Sequence, residues 1–209
     1  MQIKILNELI SYDKSMSWFA NLEQTNNKDC EKIFIFEYEN IYTAGKSIKE
    51  SVNIINNTPV YYTNRGGLWT WHGEGQLMIY FIYNLKKRHQ SLDDWFNIIE
   101  PIFINLIKDE IQNCRYNVYA DKDKRGFWVE DIKAKRISKI GFIGLRISNG
   151  FLTYGMSINY NNDLSAFNYI NPCGLGDVKI TSISEINRKK TNLSSFKLKV
   201  YNKLLSAFL

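Results

Sequence analysis

The chain has 209 residues, of which 44% are hydrophobic and 14% aromatic, a composition that excludes an intrinsically disordered polypeptide. Its 27 lysine and arginine residues outnumber 21 acidic residues, and the net charge of +6 favours an acidic partner, either nucleic acid or protein. Three cysteines and two histidines, without metal-ligand spacing, argue against a disulfide framework and a metal site and for a reducing compartment.

The predicted elements begin with an amphipathic helix over residues 12–22, where apolar side chains recur at helical spacing. Runs rich in β-branched and aromatic residues predict strands at 32–38, 59–62 and 77–83. The last of these is apolar on both faces, which predicts a central strand. No apolar run is long enough to span a bilayer and the first residues lack a signal-peptide pattern, so we expect a cytoplasmic protein.

Ser91 and the two acids that follow it predict the start of a second helix. Pro101 interrupts the apolar stripe of that helix, and we expect a kink or a break there. Glycine-punctuated strands are then predicted at 127–129, 139–147 and 152–159, followed by a helix that ends the chain. Helices at both ends with strands between them predict the α+β class, a mixed β-sheet flanked by helices, in one domain over residues 1–209.

The densest signal is the segment 64–76, Asn-Arg-Gly-Gly-Leu-Trp-Thr-Trp-His-Gly-Glu-Gly-Gln. Its glycines allow the backbone to approach a ligand and to expose amide donors, while Arg65, Thr70 and His72 supply polar side chains. A plain glycine-rich turn between strands would have the same composition. The segment matches neither a P-loop nor a dinucleotide fingerprint.

Two single residues could carry chemistry. Lys139 stands at the head of an apolar strand, where a lysine usually extends to solvent; facing a dry pocket instead, it would have a lowered pKa and could act as a base. Cys173 lies between Pro172 and Gly174 in a turn that would expose its thiol, although most free cysteines are inert apolar residues. Cys30 and Cys114 lack such a setting, and we interpret both as inert.

Together these segments resemble the lipoyl(octanoyl) transferase family, also called lipoate-protein ligase B or octanoyl-[acyl-carrier-protein]:protein N-octanoyltransferase. Residues 65–73 are similar to its signature Arg-Gly-Gly-x-x-Thr-x-His-Gly. Four further segments occur in the family's order: Tyr42-Thr-Ala-Gly45, Lys139-Ile-Gly-Phe-Ile-Gly144, Asp163-Leu-Ser165 and Pro172-Cys-Gly174. The resemblance runs from about residue 36 to residue 185, and in concert these motifs are specific.

The resemblance implies a fold related to biotin and lipoate protein ligases. It implies transfer of an octanoyl group from octanoyl-acyl-carrier protein, an acidic donor, to a lysine of a lipoyl domain, the first step of endogenous lipoate biosynthesis. The implied acceptors are the lipoyl domains of 2-oxoacid dehydrogenase complexes and the glycine cleavage H protein. It implies no metal, cofactor, nucleic acid or membrane.

Residue roles follow from the same resemblance. Cys173 matches the family's acyl-thioester nucleophile, and Lys139 matches the lysine that activates that thiol and shuttles protons. The segments that match the acyl-substrate pocket of the family are Arg65, Gly66, Gly67, Leu68, Trp69, Thr70, Trp71, His72, Phe142, Ile143, Gly144, Gly155, Met156 and Ser157.

The sequence departs from the family pattern at two positions. Glu74 stands where the family usually has proline, which implies a less rigid loop. Tyr154 stands where the family commonly has histidine, so this position cannot provide a second active-site histidine. Neither change touches Cys173 or Lys139, and we expect activity to be retained.

Two other functions are compatible with parts of the sequence. An ATP-dependent lipoate or biotin protein ligase would share the fold, but it would need a nucleotide phosphate site and no nucleophilic cysteine. A non-catalytic basic binding module would gather its basic residues in one aromatic-rich stripe, and here they are spread along the chain. The Pro-Cys-Gly turn paired with Lys139 favours the transferase.

Overall fold

The structure is a computed structural model and describes residues 1–20, 31–172, 178–189 and 191–208. The strands are β1 (Gln2–Ile10), β2 (Lys32–Tyr38), β3 (Ile41–Ala44), β4 (Ile54–Ile55), β5 (Thr58–Tyr62), β6 (Trp69–His72), β7 (Gln76–Asn84), β8 (Tyr116–Ala120), β9 (Gly126–Asp131), β10 (Arg136–Ser148), β11 (Phe151–Asn159) and β12 (Lys179–Ile180). The helices are α1 (Tyr12–Ala20), α2 (Leu92–Ile111), α3 (Ile183–Asn187) and α4 (Leu193–Phe208), with a 3-10 helix at Ser165–Tyr169. Within these ranges, no helix combines the length and the apolar character needed to cross a membrane.

The larger of two sheets has the strand order β1-β2-β7-β11-β10-β9-β8, with β12 paired to β10. The pairs β1–β2 and β10–β12 are parallel and the other neighbours are antiparallel, so the sheet is mixed. The smaller sheet has the order β4-β5-β3-β6 and contains the second half of the glycine-rich segment. The predicted class, a mixed sheet with helices, is confirmed.

Strand β7 is buried at every residue and lies inside the larger sheet, as its continuous apolar sequence predicts. Alternate side chains of a strand point to opposite faces, so β7 contributes to two cores. Leu77, Ile79 and Phe81 belong to the cluster formed with α2 and α4. Met78 and Tyr80 belong to a second cluster on the other face of the sheet. We call it the tyrosine-rich cluster, because it also contains Tyr12, Tyr38 and Tyr154. Met78 and Tyr80 also line the cavity described in the next section.

Helix α2 starts at the predicted cap. The Ser91 hydroxyl accepts a hydrogen bond from the Asp94 amide, and the Asp94 carboxylate accepts one from the Ser91 amide. Helix α2 continues through Pro101 to Ile111, so of the two expected outcomes, a kink or a break, the break is not observed. Pro101 removes one helical hydrogen bond. Buried residues on both sides of it hold the helix against the sheet: Trp95, Ile99, Phe103 and Leu106.

The N-terminus also differs from expectation, because strand β1 precedes the first helix. Residues of β1 show no strict alternation of buried and exposed side chains, and the strand exists through parallel pairing with β2. Helix α1 begins at Tyr12 as predicted; the predicted continuation to residue 22 falls outside the described residues.

Candidate active site

The glycine-rich segment forms a loop over residues 65–68 that leads into strand β6. Its fold is organised by the buried Arg65 guanidinium, which donates to the carbonyl oxygens of Gly66 at 2.9 Å, of Thr43 at 3.0 Å and of Leu68 at 3.0 Å. Gly67 has φ of +89°, a conformation that favours glycine. Arg65 therefore holds the loop in shape from inside.

This loop forms one wall of a narrow cavity of ≈ 50 Å³ that also has walls on β7, β10 and β11. The cavity is lined by Arg65, Gly66, Gly67, Leu68, Trp69, Thr70, His72, Met78, Tyr80, Phe142, Ile143, Gly144, Gly155, Met156 and Ser157. The structure thus brings together every residue that the sequence assigned to the acyl pocket, with the exception of Trp71.

Trp71 is not part of this lining; its ring packs edge-on against Phe167 with a centroid distance of 5.8 Å. Met78 and Tyr80 line the cavity without having been predicted. They are the antiparallel partners of Ser157 and Gly155 across the β7–β11 pair. The period-2 alternation of β7, combined with that pairing, is the signal that identifies them.

His72 is buried at the edge of the cavity and is held by two neighbours. Its Nδ1 lies 2.6 Å from the Gln76 Oε1 and its Nε2 lies 3.5 Å from the Thr43 hydroxyl. Because the Gln76 oxygen can only accept, Nδ1 carries the proton. Burial lowers the pKa of His72 to about 3, and the charge of Arg65 adds to this effect against the Gln76 hydrogen bond. The imidazole is therefore neutral at neutral pH.

Lys139 does not extend to solvent; its side chain is 1% exposed. Its Nζ donates to the Arg125 carbonyl oxygen at 3.0 Å, and it lies 4.9 Å from the centroid of the Trp128 ring and 5.2 Å from that of Phe142. It lines a groove of ≈ 380 Å³ next to the cavity. The groove and the cavity share Gly66, Gly67, Leu68, Ile143 and Gly144. The buried amine thus lies beside the cavity that the sequence assigned to the acyl group.

Cys173 lies outside the described residues, and so does Cys30. Pro172, the residue bonded to Cys173, forms a parallel bridge with Trp69 of the cavity lining. The Ser157 hydroxyl is buried in the cavity wall and has no hydrogen-bond partner among the described residues. Cys114 is free and exposed.

Neither residue that departs from the family pattern lines the cavity. Glu74 is exposed, and the next residue, Gly75, is anchored by its amide to the Glu37 carboxylate at 2.7 Å. Tyr154 packs between Phe19 and Tyr80 in the tyrosine-rich cluster, and its hydroxyl donates weakly to the Met16 sulfur at 3.8 Å. Tyr154 is thus a packing residue behind the cavity wall.

Comparison with known proteins places this site in context. The family described as the lipoyl protein ligase A/B catalytic domain matches residues 14–205. An octanoyltransferase from Buchnera aphidicola subsp. Acyrthosiphon pisum is 33% identical over 203 residues, which cover 92% of this chain and 91% of the relative.

Solved structures agree on the fold. The structure of P. falciparum LipL1 in complex with lipoate superposes with a TM-score of 0.69 at 12% identity, covering 99% of this chain and 60% of LipL1. The biotin protein ligase of Aquifex aeolicus with biotin and ATP superposes with a TM-score of 0.56 at 14% identity, covering 99% of this chain and 69% of the ligase. The predicted likeness to biotin and lipoate protein ligases is therefore confirmed at the level of fold.

Proposed function

The chain belongs to the lipoyl protein ligase A/B catalytic domain family, and we propose that this octanoyltransferase takes its acyl group from octanoyl-acyl-carrier protein through a thioester on Cys173. It acts in lipoate biosynthesis as an acyltransferase. The acceptors in this proposal are lysines of lipoyl domains, in 2-oxoacid dehydrogenase complexes and the glycine cleavage H protein. We further propose one catalytic domain over residues 1–209, working in the cytoplasm, where thiols remain reduced.

The observation that carries the proposal is a narrow cavity that adjoins a groove containing a buried lysine. Phe142, Ile143, Met78 and Met156 give the cavity an apolar lining. Burying a linear acyl chain there would contribute about 0.8 kcal/mol for each methylene. Methionine side chains are unbranched and adjust to such a chain more readily than other apolar residues.

The first half-reaction in this proposal is thioester exchange. Lys139 takes the proton of the Cys173 thiol, and the thiolate attacks the carbonyl carbon of the donor thioester. The bond between that carbon and the donor's sulfur breaks, and the departing thiolate receives the proton back from Lys139. The Ser157 hydroxyl, which lacks a partner among the described residues, is available to donate to the carbonyl oxygen as charge develops on it.

The second half-reaction forms an amide. The acceptor lysine amine attacks the acyl carbon, its proton passes to a base, and the Cys173 thiolate is released. Lys139 is the base in this proposal, because burial of its side chain favours the neutral amine. His72 is neutral and its one ring proton is committed to Gln76, so we assign it to binding rather than to proton transfer.

The test is the intact mass of the protein after incubation with octanoyl-acyl-carrier protein. The wild type should gain one octanoyl group and lose it when a lipoyl domain is added. Cys173→Ala should gain none, whereas Lys139→Met should acquire the group more slowly and retain it. Cys114→Ala is the matched control for an exposed thiol and should behave as the wild type.

An octanoyl adduct on Cys173→Ala would contradict the proposed nucleophile. Transfer that requires ATP and free octanoate, with no adduct from the intact donor, would favour the ATP-dependent ligase instead. Failure of either reaction together with salt-sensitive binding of DNA or RNA would favour the basic binding module.

A further inference from the structure

We infer that Arg125 is a positioning residue for Lys139, because its side chain is clamped on helix α2 while its backbone carbonyl holds the lysine amine. This inference rests on the proposed function, in which Lys139 is the base. It adds a residue that the sequence motifs do not include. Arg125 lies in the turn between β8 and β9, 14 residues before Lys139.

The first contact is the hydrogen bond from the Lys139 Nζ to the Arg125 carbonyl oxygen at 3.0 Å. The centroids of the Trp128 and Phe142 rings lie 4.9 Å and 5.2 Å from the same Nζ atom. Aromatic rings attract a cation without fixing the direction of its hydrogen bonds, whereas a carbonyl oxygen does fix it. The Arg125 carbonyl is therefore a fixed acceptor that orients the amine.

The second contact fixes the Arg125 side chain. Its guanidinium lies 3.9 Å from the centroid of the Phe96 ring, and its Nη1 lies 3.2 Å from the Glu100 Oε1. Phe96 and Glu100 are one turn apart on α2, and Phe96 is buried in the core. A second carboxylate, that of Asp93, lies 3.9 Å away. The turn is thereby tied to helix α2.

The backbone of the turn passes close to the lysine. Gly126 has φ of +146°, and a Cβ added there would lie 2.6 Å from the Lys139 Cε and 2.5 Å from the Gly141 carbonyl oxygen. The Asp121 carboxylate accepts hydrogen bonds from the backbone amides of Asp123 and Lys124, and the bond from Lys124 lowers the pKa of Asp121. A turn this close cannot move without displacing the amine.

The test is the pH dependence of octanoyl transfer from the preformed thioester enzyme to a lipoyl domain in single turnovers. Arg125→Met keeps the stem and removes the clamp. We expect the rate at pH 7 to fall about tenfold, because without the clamp the Arg125 carbonyl no longer holds its hydrogen bond to the amine in a fixed direction. The acid limb of the pH–rate profile should move to higher pH, because water that reaches the Lys139 amine stabilises its protonated form. The KM for the lipoyl domain should not change, and Arg125→Lys should restore part of the rate.

Arg115→Met is the matched control, because Arg115 lies at the other end of the same hairpin with a carboxylate partner, Asp131, and an aromatic one, Tyr116. It should reduce the melting temperature to a similar extent and leave the pH profile unchanged. If Arg125→Met does not fold, Glu100→Gln removes the partner instead and should shift the same limb by a smaller amount.

A profile of Arg125→Met that overlays that of Arg115→Met would overturn the inference, and so would an effect confined to KM. Lys139→Met, measured in the same assay, separates the two proposals. If Lys139→Met is slow while Arg125→Met is normal, only the positioning role fails. If Lys139→Met is as fast as the wild type, the proposed base itself fails.

Discussion

His72 is neutral because burial removes water from its imidazole, and the charge of Arg65 acts in the same direction, whereas the Gln76 hydrogen bond opposes it and fixes the ring. The Gln76 amide oxygen takes the Nδ1 proton, while the same amide's nitrogen donates to the Asn159 side chain at 2.8 Å. Asn159 in turn donates to the Thr181 carbonyl oxygen. Each group in this series has a fixed role as donor or acceptor, which fixes the orientation of the imidazole. A second proton would add at Nε2, where burial leaves no water to solvate the charge.

This arrangement predicts a pH-dependent stability. The folded pKa of His72, about 3, is below its ordinary value of 6.5, so between these two values only the unfolded chain binds the proton. The free energy of unfolding therefore rises with pH across this window, by about 1.4 kcal/mol per unit. The contribution is fully present above pH 6.5 and is lost as the pH falls toward 3. Urea midpoints measured from pH 7 to pH 4 should show a shallower slope for His72→Asn than for the wild type.

His89→Asn is the control, because His89 is the other histidine of the chain and is exposed. Its φ of +52° is one that asparagine tolerates. Its slope should equal that of the wild type. Equal slopes for His72→Asn and the wild type would mean that the buried imidazole is protonated already in the folded protein.

Among the elements, the β7–β11 pair is the one on which the cavity depends most directly. Gly155 faces Tyr80 across this pair, and a Cβ added there would lie 1.9 Å from the Ile79 carbonyl oxygen. Gly155→Ala should therefore lower the free energy of unfolding by about 3 kcal/mol. Gly66→Ala, also in the cavity wall, meets its nearest atom at 3.7 Å and should keep the wild-type urea midpoint. Equal midpoints for the two variants would show that the strand pair can separate to accept a side chain.

Local patterns predicted the elements whose signal lies within their own residues. Strand β2 and the Ser91 cap of α2 have the predicted bounds. Strands β1 and β6 were missed because each depends on a partner strand that is distant in sequence, β2 in one case and β3 in the other. The segment 69–72 carries glycines on both sides and resembles a loop until β3 pairs with it.

The site divides in the same way. Motif residues that line the cavity could be assigned from the sequence, since each motif is a short continuous segment. Met78 and Tyr80 required the strand register, and Arg125 required the packing of a turn on α2. Cys173 and its relation to Lys139 stay a prediction, because Cys173 lies outside the described residues.

For the molecule as a whole, the net charge of +6 influences how fast a charged partner binds rather than how fast the acyl group is transferred. An excess of positive charge raises the rate at which an acidic protein reaches the surface, by tenfold or more at low ionic strength. It has little influence on a small uncharged substrate. If the natural donor is an acidic carrier protein, the rate of acyl transfer from that protein should depend on salt, whereas the rate from a small uncharged thioester should not.

The second-order rate of thioester formation tests this directly. With octanoyl-acyl-carrier protein, we expect it to fall about tenfold between low salt and roughly 1 M NaCl, because the screening length shortens from about 30 Å at 0.01 M to about 3 Å. With octanoyl-N-acetylcysteamine, an uncharged thioester with a truncated arm, the rate should change little over the same range. Since both donors acylate the same thiol, the comparison separates docking from chemistry. Parallel loss of rate with the two donors would instead place the salt effect at the active site and remove the charge argument for a carrier-protein donor.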